Sequence, residues 1–272
     1  MKQTVEQLKS TANVIRQDIV EMVHLAGSGH PGGSLSSADI LATLYFNVMN
    51  VDPENTSNDE RDRFVLSKGH AAPVLYSALA RRGYFKPELL KQLRKTGAML
   101  QGHPDMKGTP GVEMSTGSLG QGFSSSIGMA IGKKLDNSSA RIHVLLGDGE
   151  LNEGIVWEAA MAGAHYKLDN LVAVLDYNGL QIDGKNSEVM NVSPVDEKFL
   201  SFGWNVIVTD GHDVEALLAA FEEAKTVKGK PTLVIATTIK GKGVSFMEDQ
   251  AGWHGTAPNV EQFEKAMKEL GR

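Results

Sequence analysis

The 272-residue chain predicts an α/β fold, a parallel sheet of about five or more strands with helices on both faces. Three observations carry that expectation. Runs such as "VLLG", "LVAVLD" and "TLVIATT" are apolar without alternation, as in strands covered on both faces. Segments with apolar residues every three or four positions lie between them. Glycine-rich turns mark the joins.

The elements follow in order. Residues 4–26 read as a helix, with Val5, Leu8, Ala12, Ile15, Ile19 and Val23 on one stripe and Thr4 and Gln7 spaced as a capping box. A second helix follows Ser36, with Asp39 three residues on. "DPENTSNDERD" is a polar surface loop, and residues 63–67 form a short strand leading through "KGH" to the helix "APVLYSALARRG". "KPELLKQLRKTG" is expected as a helix, with Pro87 near its start. Residues 97–122 look irregular, and a stretch that long inside a domain is usually functional or disordered. Its histidine, its glycines and its low charge favour function.

From there strand and helix alternate. "RIHVLLG", "LVAVLDYN", "NVIVTDG" and "PTLVIATTI" read as strands, which makes five with residues 63–67. "GIVWEAAMAGAHYKL", "VDEKFLSFG" and "VEALLAAFEEAKTV" are the intervening helices, "GLQIDG" is a loop, and the last sixteen residues end in a helix.

Bulk composition excludes several classes. The net charge of −6 argues against a nucleic-acid binder. With no cysteine, disulfides, thiolate metal sites and cysteine nucleophiles are impossible. "MKQTVEQLK" lacks a signal-peptide core, and no apolar run approaches the ~20 residues of a membrane span. A soluble, cytoplasmic protein is the default expectation. The length suits one large domain or two small ones. Glycine is in excess, 29 residues against an average of about 7%, and it clusters in "GSGHPGG", "GTPGVEMSTGSLGQG", "GDGELNEG" and "KGKG".

Ligands of a parallel sheet sit beyond the carboxyl ends of its strands. Asp148 of "GDG" and Asn178 of "DYNG" each lie at such an end, 30 positions or one β-α-β step apart. A carboxylate, an amide oxygen and backbone carbonyls suit a hard cation such as Mg²⁺. Flanking glycines let N–H groups reach a phosphate. An aspartate capping a helix and an asparagine in a turn would leave the same letters; the spacing favours the Mg²⁺–diphosphate reading.

Four histidines, His30, His70, His103 and His254, lie in Gly-containing loops. Imidazoles there can bond phosphate or sugar oxygens and move protons. His24, His143 and His165 read as structural or surface residues, and His212 of "TDGHD" as a turn residue. Glu150 reads as a favourable carboxylate in a first helical turn. Glu158, in the mostly apolar "IVWEAAMAGA", is expected to need a buried partner. "GMAIGKK" lacks the spacing of a Walker loop and "GQGFSS" lacks both the third glycine and the strand of a dinucleotide fingerprint. The Gly128–Gly132 spacing reads as a mark of tight helix packing.

Together "GDGELNEG", "DYNGLQIDG", "SGHPGGSLSSADIL", "LSKGHAAPVLY", "QGHPD", "STGSLGQG" and "WHGTAP" resemble the transketolase family in order and spacing, over roughly residues 10 to 260. The resemblance implies a thiamine diphosphate-binding fold in a single domain over residues 1–272. It implies Asp148 and Asn178 as side-chain ligands of Mg²⁺, with Ca²⁺ or Mn²⁺ as substitutes, and Leu180 as a carbonyl ligand. Gly149, His70 and His254 would contact the diphosphate, with Glu150 and Asn178 beside the cofactor. Gly117, Ser118 (where many relatives carry proline) and Leu119 would line the cofactor. His30, His103 and His254 would face the sugar. Glu153, with Glu158, would join a carboxylate network across a subunit boundary.

In that family two further domains follow, and the resemblance covers neither. The implied protein is the N-terminal subunit of a split transketolase, completed by a separate C-terminal subunit in a two-plus-two heterotetramer. It would move a two-carbon ketol unit between sugar phosphates, such as those of the pentose phosphate pathway, through the cofactor's ylide and enamine. The alternatives are a component of a deoxyxylulose-phosphate synthase-like or 2-oxoacid dehydrogenase-like enzyme, and a non-catalytic thiamine diphosphate binder. The loop histidines disfavour all three.

Overall fold

Long apolar runs with no polar alternation find cover on two sides, and the architecture follows from that. In the computed structural model, which describes residues 2–272, seven strands form: β1 (Arg63–Leu66), β2 (Ile142–Gly147), β3 (Leu171–Tyr177), β4 (Leu180–Gln181), β5 (Gly184–Lys185), β6 (Asn205–Asp210) and β7 (Thr232–Thr237). Five of them make one parallel sheet in the order β1-β2-β3-β7-β6. β4 and β5 pair as a separate short antiparallel hairpin, so the expected "GLQIDG" loop carries a minimal ladder.

The helices are α1 (Val5–Ala26), α2 (Pro31–Leu35), α3 (Ala38–Thr43), α4 (Ala72–Arg82), α5 (Gln121–Leu135), α6 (Gly154–His165), α7 (Asn186–Val189), α8 (Val195–Phe202), α9 (Val214–Thr226) and α10 (Val260–Glu269). Alternate strand residues point to opposite faces. Leu145, Val172, Val174 and Val234 pack with α1, α3, α4 and α9 residues, whereas Val144, Leu146, Ala173, Leu175 and Ile235 pack with α5, α6 and α8 residues. The expected double covering is therefore present, and truncating a residue such as Leu145, wholly buried, would cost about 2–5 kcal/mol. Among the described residues no helix is long and apolar enough to cross a membrane.

Local chemistry sets the helix ends. Thr4 and Gln7 form the reciprocal capping box on α1, and Asn259 and Gln262 repeat it on α10. The helix after Ser36 exists, but neither serine caps it. The hydroxyls of Ser36 and Ser37 donate instead to the Gly33 carbonyl and the Asp176 carboxylate. The expected helix over "KPELLKQLRKTG" is only a 3₁₀ segment, Pro87–Gln92. Leu90 is its one buried residue, so the segment has no apolar stripe to hold a longer helix against the core. Gly128 and Gly132 on α5 have nothing within 4 Å of where a Cβ would stand, so they do not mark packing inside this chain.

Candidate functional site

The carboxyl ends of β2 and β3 carry the first residues of the site. Gly147 and Asp176 are in register, which brings Asp148 and Asn178 to the same rim. Asp148 is 2% exposed. Its carboxylate accepts the backbone N–H of Gly149 (2.8 Å) and of Gly179 (2.6 Å), tying the two post-strand loops together. Among the described residues no cation pairs with it directly. Burial and the nearby Asp176 charge push its carboxyl up to about 6. Asn178 accepts from the Leu180 N–H and donates to Asp176, both at 3.1 Å.

Asp176 is the hub beneath this rim. It is wholly buried and accepts from Ser36, Thr238, Asn178 and the ammonium of Lys68. Burial opposes its charge, but Lys68 and these donors hold it below the usual carboxylate range. Lys68 also donates to the Gly33 carbonyl (2.8 Å) and the Ser37 hydroxyl (2.7 Å), so all three of its N–H donors are engaged.

Lys240 is 2% exposed and makes one side-chain contact, to His254 Nδ1 at 3.1 Å. Burial, aided by Lys68 and opposed by Asp148, lowers its ammonium to about 8. The rings of His30, His70 and His254 surround one point, with centroids 5.1–5.3 Å apart. Burial and neighbouring cations hold His30 and His254 down at about 4 and His70 well below its ordinary value. All three are neutral near pH 7, each with one N–H donor and one acceptor. His103 stands beside them, lowered by burial and by Arg94, and its ring lies 3.0 Å from where a Cβ on Gly117 would be. Gly117 has φ +148°, and the missing Cβ leaves room for that imidazole.

These groups enclose a cavity of about 310 Å³. Asp148, Asn178, Leu180, Gly149, Glu150, Gly117, Leu119, His70 and His254 all line it, as do Lys68 and Lys240. His30 and His103 sit at its edge through their contacts with His70, His254 and Gly117. Ser118, Glu153 and Glu158 are exposed and outside the cavity. A groove of about 430 Å³ beside α1 and α4 is larger, but its Arg81 and Asp18 already pair with each other.

Two carboxylate expectations need correction. Glu150 is no ordinary first-turn acid. It is 2% exposed and accepts from the Ser67 hydroxyl and from the N–H groups of Gly120 (2.7 Å) and Gly147 (3.0 Å), locking three loops. Glu158 has no buried partner, because it stands on the open face of α6 while Val156, Ala159, Ala160 and Gly163 turn inward. Lys68, Asp176 and Lys240 are the site residues that motif reading missed. The lysines of "SKGH" and "IKGKG" were visible as letters, with no sign that they are buried.

The residues fit an anionic cofactor with a hard cation. A buried carboxylate without a counter-ion, an amide oxygen and a nearby carbonyl form an oxygen donor set of the Mg²⁺ type, and Lys240 leaves N–H donors free for an anion. Among the described residues no group of three or more His, Cys, Asp or Glu forms a denser metal cluster.

Residues 7–272 match the family model for the transketolase, thiamine diphosphate binding domain. The chain is 47% identical over 263 residues to the 6-deoxy-6-sulfo-D-fructose transketolase subunit SqwG of a Clostridium species, covering 97% of this chain and 96% of that protein. It is 43% identical to an apulose-4-phosphate transketolase subunit of Phocaeicola vulgatus, covering 98% and 94%. Human transketolase is 43% identical over 270 residues, but the chain spans only 43% of its length. Among solved structures, the transketolase of Campylobacter jejuni superposes with a TM-score of 0.93 at 36% identity, covering 99% of this chain and 43% of that one. The chain belongs to the transketolase family, in the part of it that binds thiamine diphosphate.

Proposed function

We propose that this chain is the N-terminal subunit of a two-chain transketolase, which transfers a two-carbon ketol unit from a ketose to an aldose. The cavity beyond β2 and β3 carries the reading. It joins an unpaired buried carboxylate, an anion-facing lysine and a ring of neutral imidazoles in one place. Likeness over nearly the whole length of two proteins named as transketolase subunits supports the two-chain form.

In this reading Asp148, Asn178 and the Leu180 carbonyl hold Mg²⁺. Gly149, His70, His254 and Lys240 hold the diphosphate, and Gly117 and Leu119 pack beside the cofactor. Bound there, thiamine diphosphate supplies a nucleophilic carbon for breaking the bond next to a ketose carbonyl. Neutral imidazoles can donate from one ring nitrogen and accept at the other. His30, His103 and His254 therefore hydrogen-bond sugar oxygens and carry protons to and from them. His254 Nδ1 accepts from Lys240, which leaves its Nε2–H as the one donor it can turn to the diphosphate or to the sugar. The fully engaged Lys68 acts by charge and by fixing Asp176, and Asp176 in turn orients Asn178. Glu150 holds the Gly147 and Gly120 loops in shape.

The aminopyrimidine half of the cofactor and the anionic tail of the sugar fall to a separate C-terminal subunit, in a two-plus-two assembly working on cytoplasmic sugar phosphates. Glu153, just before α6, and Glu158, on its open face, are the carboxylates that would meet another chain. The named relatives point to a ketose ending in phosphate or sulfonate as donor.

The test begins with the native mass of the tagged chain recovered from its own cells. A second chain carrying the pyrimidine-binding half should accompany it, and the pair should transfer ketol units only with Mg²⁺ and thiamine diphosphate. A homo-oligomer without that chain, or a pair inert toward every ketose donor, would refute the proposal.

A further inference from the structure

Lys240 reaches the cavity from the turn after β7, and a line of buried polar contacts holds that turn. The backbone N–H of Ile239 donates to Nε2 of His212 at 2.8 Å. The other ring nitrogen, Nδ1, lies 2.8 Å from the Asp39 carboxylate. With Nε2 accepting, the single proton of a neutral ring must sit on Nδ1 and point at Asp39. Asp39 also receives the guanidinium of Arg16. Burial works against its charge, yet His212 and Arg16 keep the carboxyl below its ordinary range.

Four elements are thus joined: α1 through Arg16, α3 through Asp39, the turn after β6 through His212, and the turn after β7 through Ile239. On the other side of Lys240, the Gly241 N–H donates to the Gly32 carbonyl at 3.0 Å. The Gly241 N–H pins the peptide directly after Lys240, and the Ile239 N–H pins the peptide one residue before it, while the Ile239 and Lys240 carbonyls accept from the N–H groups of Lys242 (3.2 Å) and Asp249 (3.0 Å). A lysine stem is long and flexible, so a nearly buried ammonium keeps one position only if its backbone is fixed. A turn residue at 212 would need no ring acceptor, and the ring is 14% exposed with both nitrogens engaged.

We infer that His212 is a positioning residue for Lys240: by accepting the Ile239 N–H, with its own proton held by Asp39, it fixes the backbone from which the ammonium meets the cofactor's diphosphate. The inference rests on the proposed role of Lys240 as a diphosphate-facing cation.

The experiment is a calorimetric titration of the two-chain complex with thiamine diphosphate at fixed Mg²⁺, for the parent, Lys240→Ala, His212→Ala, His212→Gln and the double alanine variant, with thermal unfolding recorded for each. Lys240→Ala should weaken binding about 30-fold, as for a lost charge-assisted contact. His212→Ala should weaken it about tenfold, as for a lost orienting partner. His212→Gln keeps an acceptor at a similar reach and should restore most of the affinity. The double variant should bind no more weakly than Lys240→Ala, since one effect acts through the other. His212→Met, of similar size but without the acceptor, replaces the alanine variant if that one does not fold. Full affinity in His212→Ala or His212→Met beside a loss in Lys240→Ala overturns the positioning role alone. Losses that multiply in the double variant overturn it too. Full affinity in Lys240→Ala overturns the diphosphate contact and the positioning role together.

Discussion

His143 offers a sharp test of the packing argument, away from the site. It is the second residue of β2, 1% exposed, with its ring edge-on to Phe221. Neither ring nitrogen has a hydrogen-bond partner among the described residues. A neutral imidazole always carries one donor and one acceptor, so both are buried unsatisfied. Burial lowers the ring to about 4, with Asp62 opposing and Arg141 and Lys225 assisting. In the unfolded chain the ring titrates near 6.5. Because the folded value is the lower one, the unfolded state takes up the proton first as pH falls. Stability is full above 6.5 and declines through the window from 6.5 to about 4, then levels. The proton uptake amounts to about 2 kcal/mol at pH 5 and about 3 kcal/mol near pH 4.

Replacing His143 by leucine, of similar volume, removes both the orphan groups and the titration. At pH 7.5 His143→Leu should be more stable than the parent by about 1–2 kcal/mol, the desolvation of unpaired polar groups less the lost contact with Phe221. At pH 5 the gap should widen by about 2 kcal/mol. Urea denaturation of the two chains at pH 7.5, 6 and 5 measures it. A gap that stays constant with pH, or a variant less stable at every pH, would refute the reasoning.

Three further outcomes follow from the site. Asp148→Asn removes a buried charge that burial and Asp176 already disfavour, so the variant should unfold at a higher temperature while its Mg²⁺-dependent affinity for thiamine diphosphate falls at least about 100-fold for want of the one anionic ligand; unchanged affinity by calorimetry would remove Asp148 from the metal site. Lys68→Met strands the wholly buried Asp176 charge, and denaturant unfolding at pH 7.5 should register a loss of about 3–5 kcal/mol. His103→Ala in the two-chain enzyme should lower the rate of ketol transfer about 100-fold or more with cofactor affinity within about twofold; equal losses in both would make His103 a cofactor residue instead.

The sheet was legible because its strands are apolar on both faces, and "LVAVLD" has no other home than beneath two layers of helices. Asp148 and Asn178 were legible because one β-α-β step separates neighbouring strand ends, and the register brings them to one rim. Elsewhere local pattern failed for identifiable reasons. Glu150, Glu153 and Glu158 fall within nine positions, yet only Glu150 is buried, and beside the local Gly147 N–H its donors come from Ser67 and Gly120, 83 and 30 positions away. Glu158 has apolar neighbours, but those that turn inward leave it on the outer side of α6. His212 looked like punctuation after β6 because its partners, Asp39 and Ile239, lie 173 and 27 positions away.

The two lysines carry this furthest. Lys68 and Lys240 share a side chain and an exposure of only 1–2%, and they line the same cavity. What separates them is the count of protons already committed. Lys68 gives all three to Gly33, Ser37 and Asp176, so it is a fixed charge and a brace. Lys240 gives one to His254, so its remaining donors stay open to an anion. Burial without a carboxylate partner also lowers it to about 8. A bound diphosphate would reverse that shift, drawing a proton onto any fraction of Lys240 that had lost it. Cofactor affinity should therefore weaken as pH rises from 7 through 9 when followed by calorimetry, an effect that Lys240→Ala abolishes.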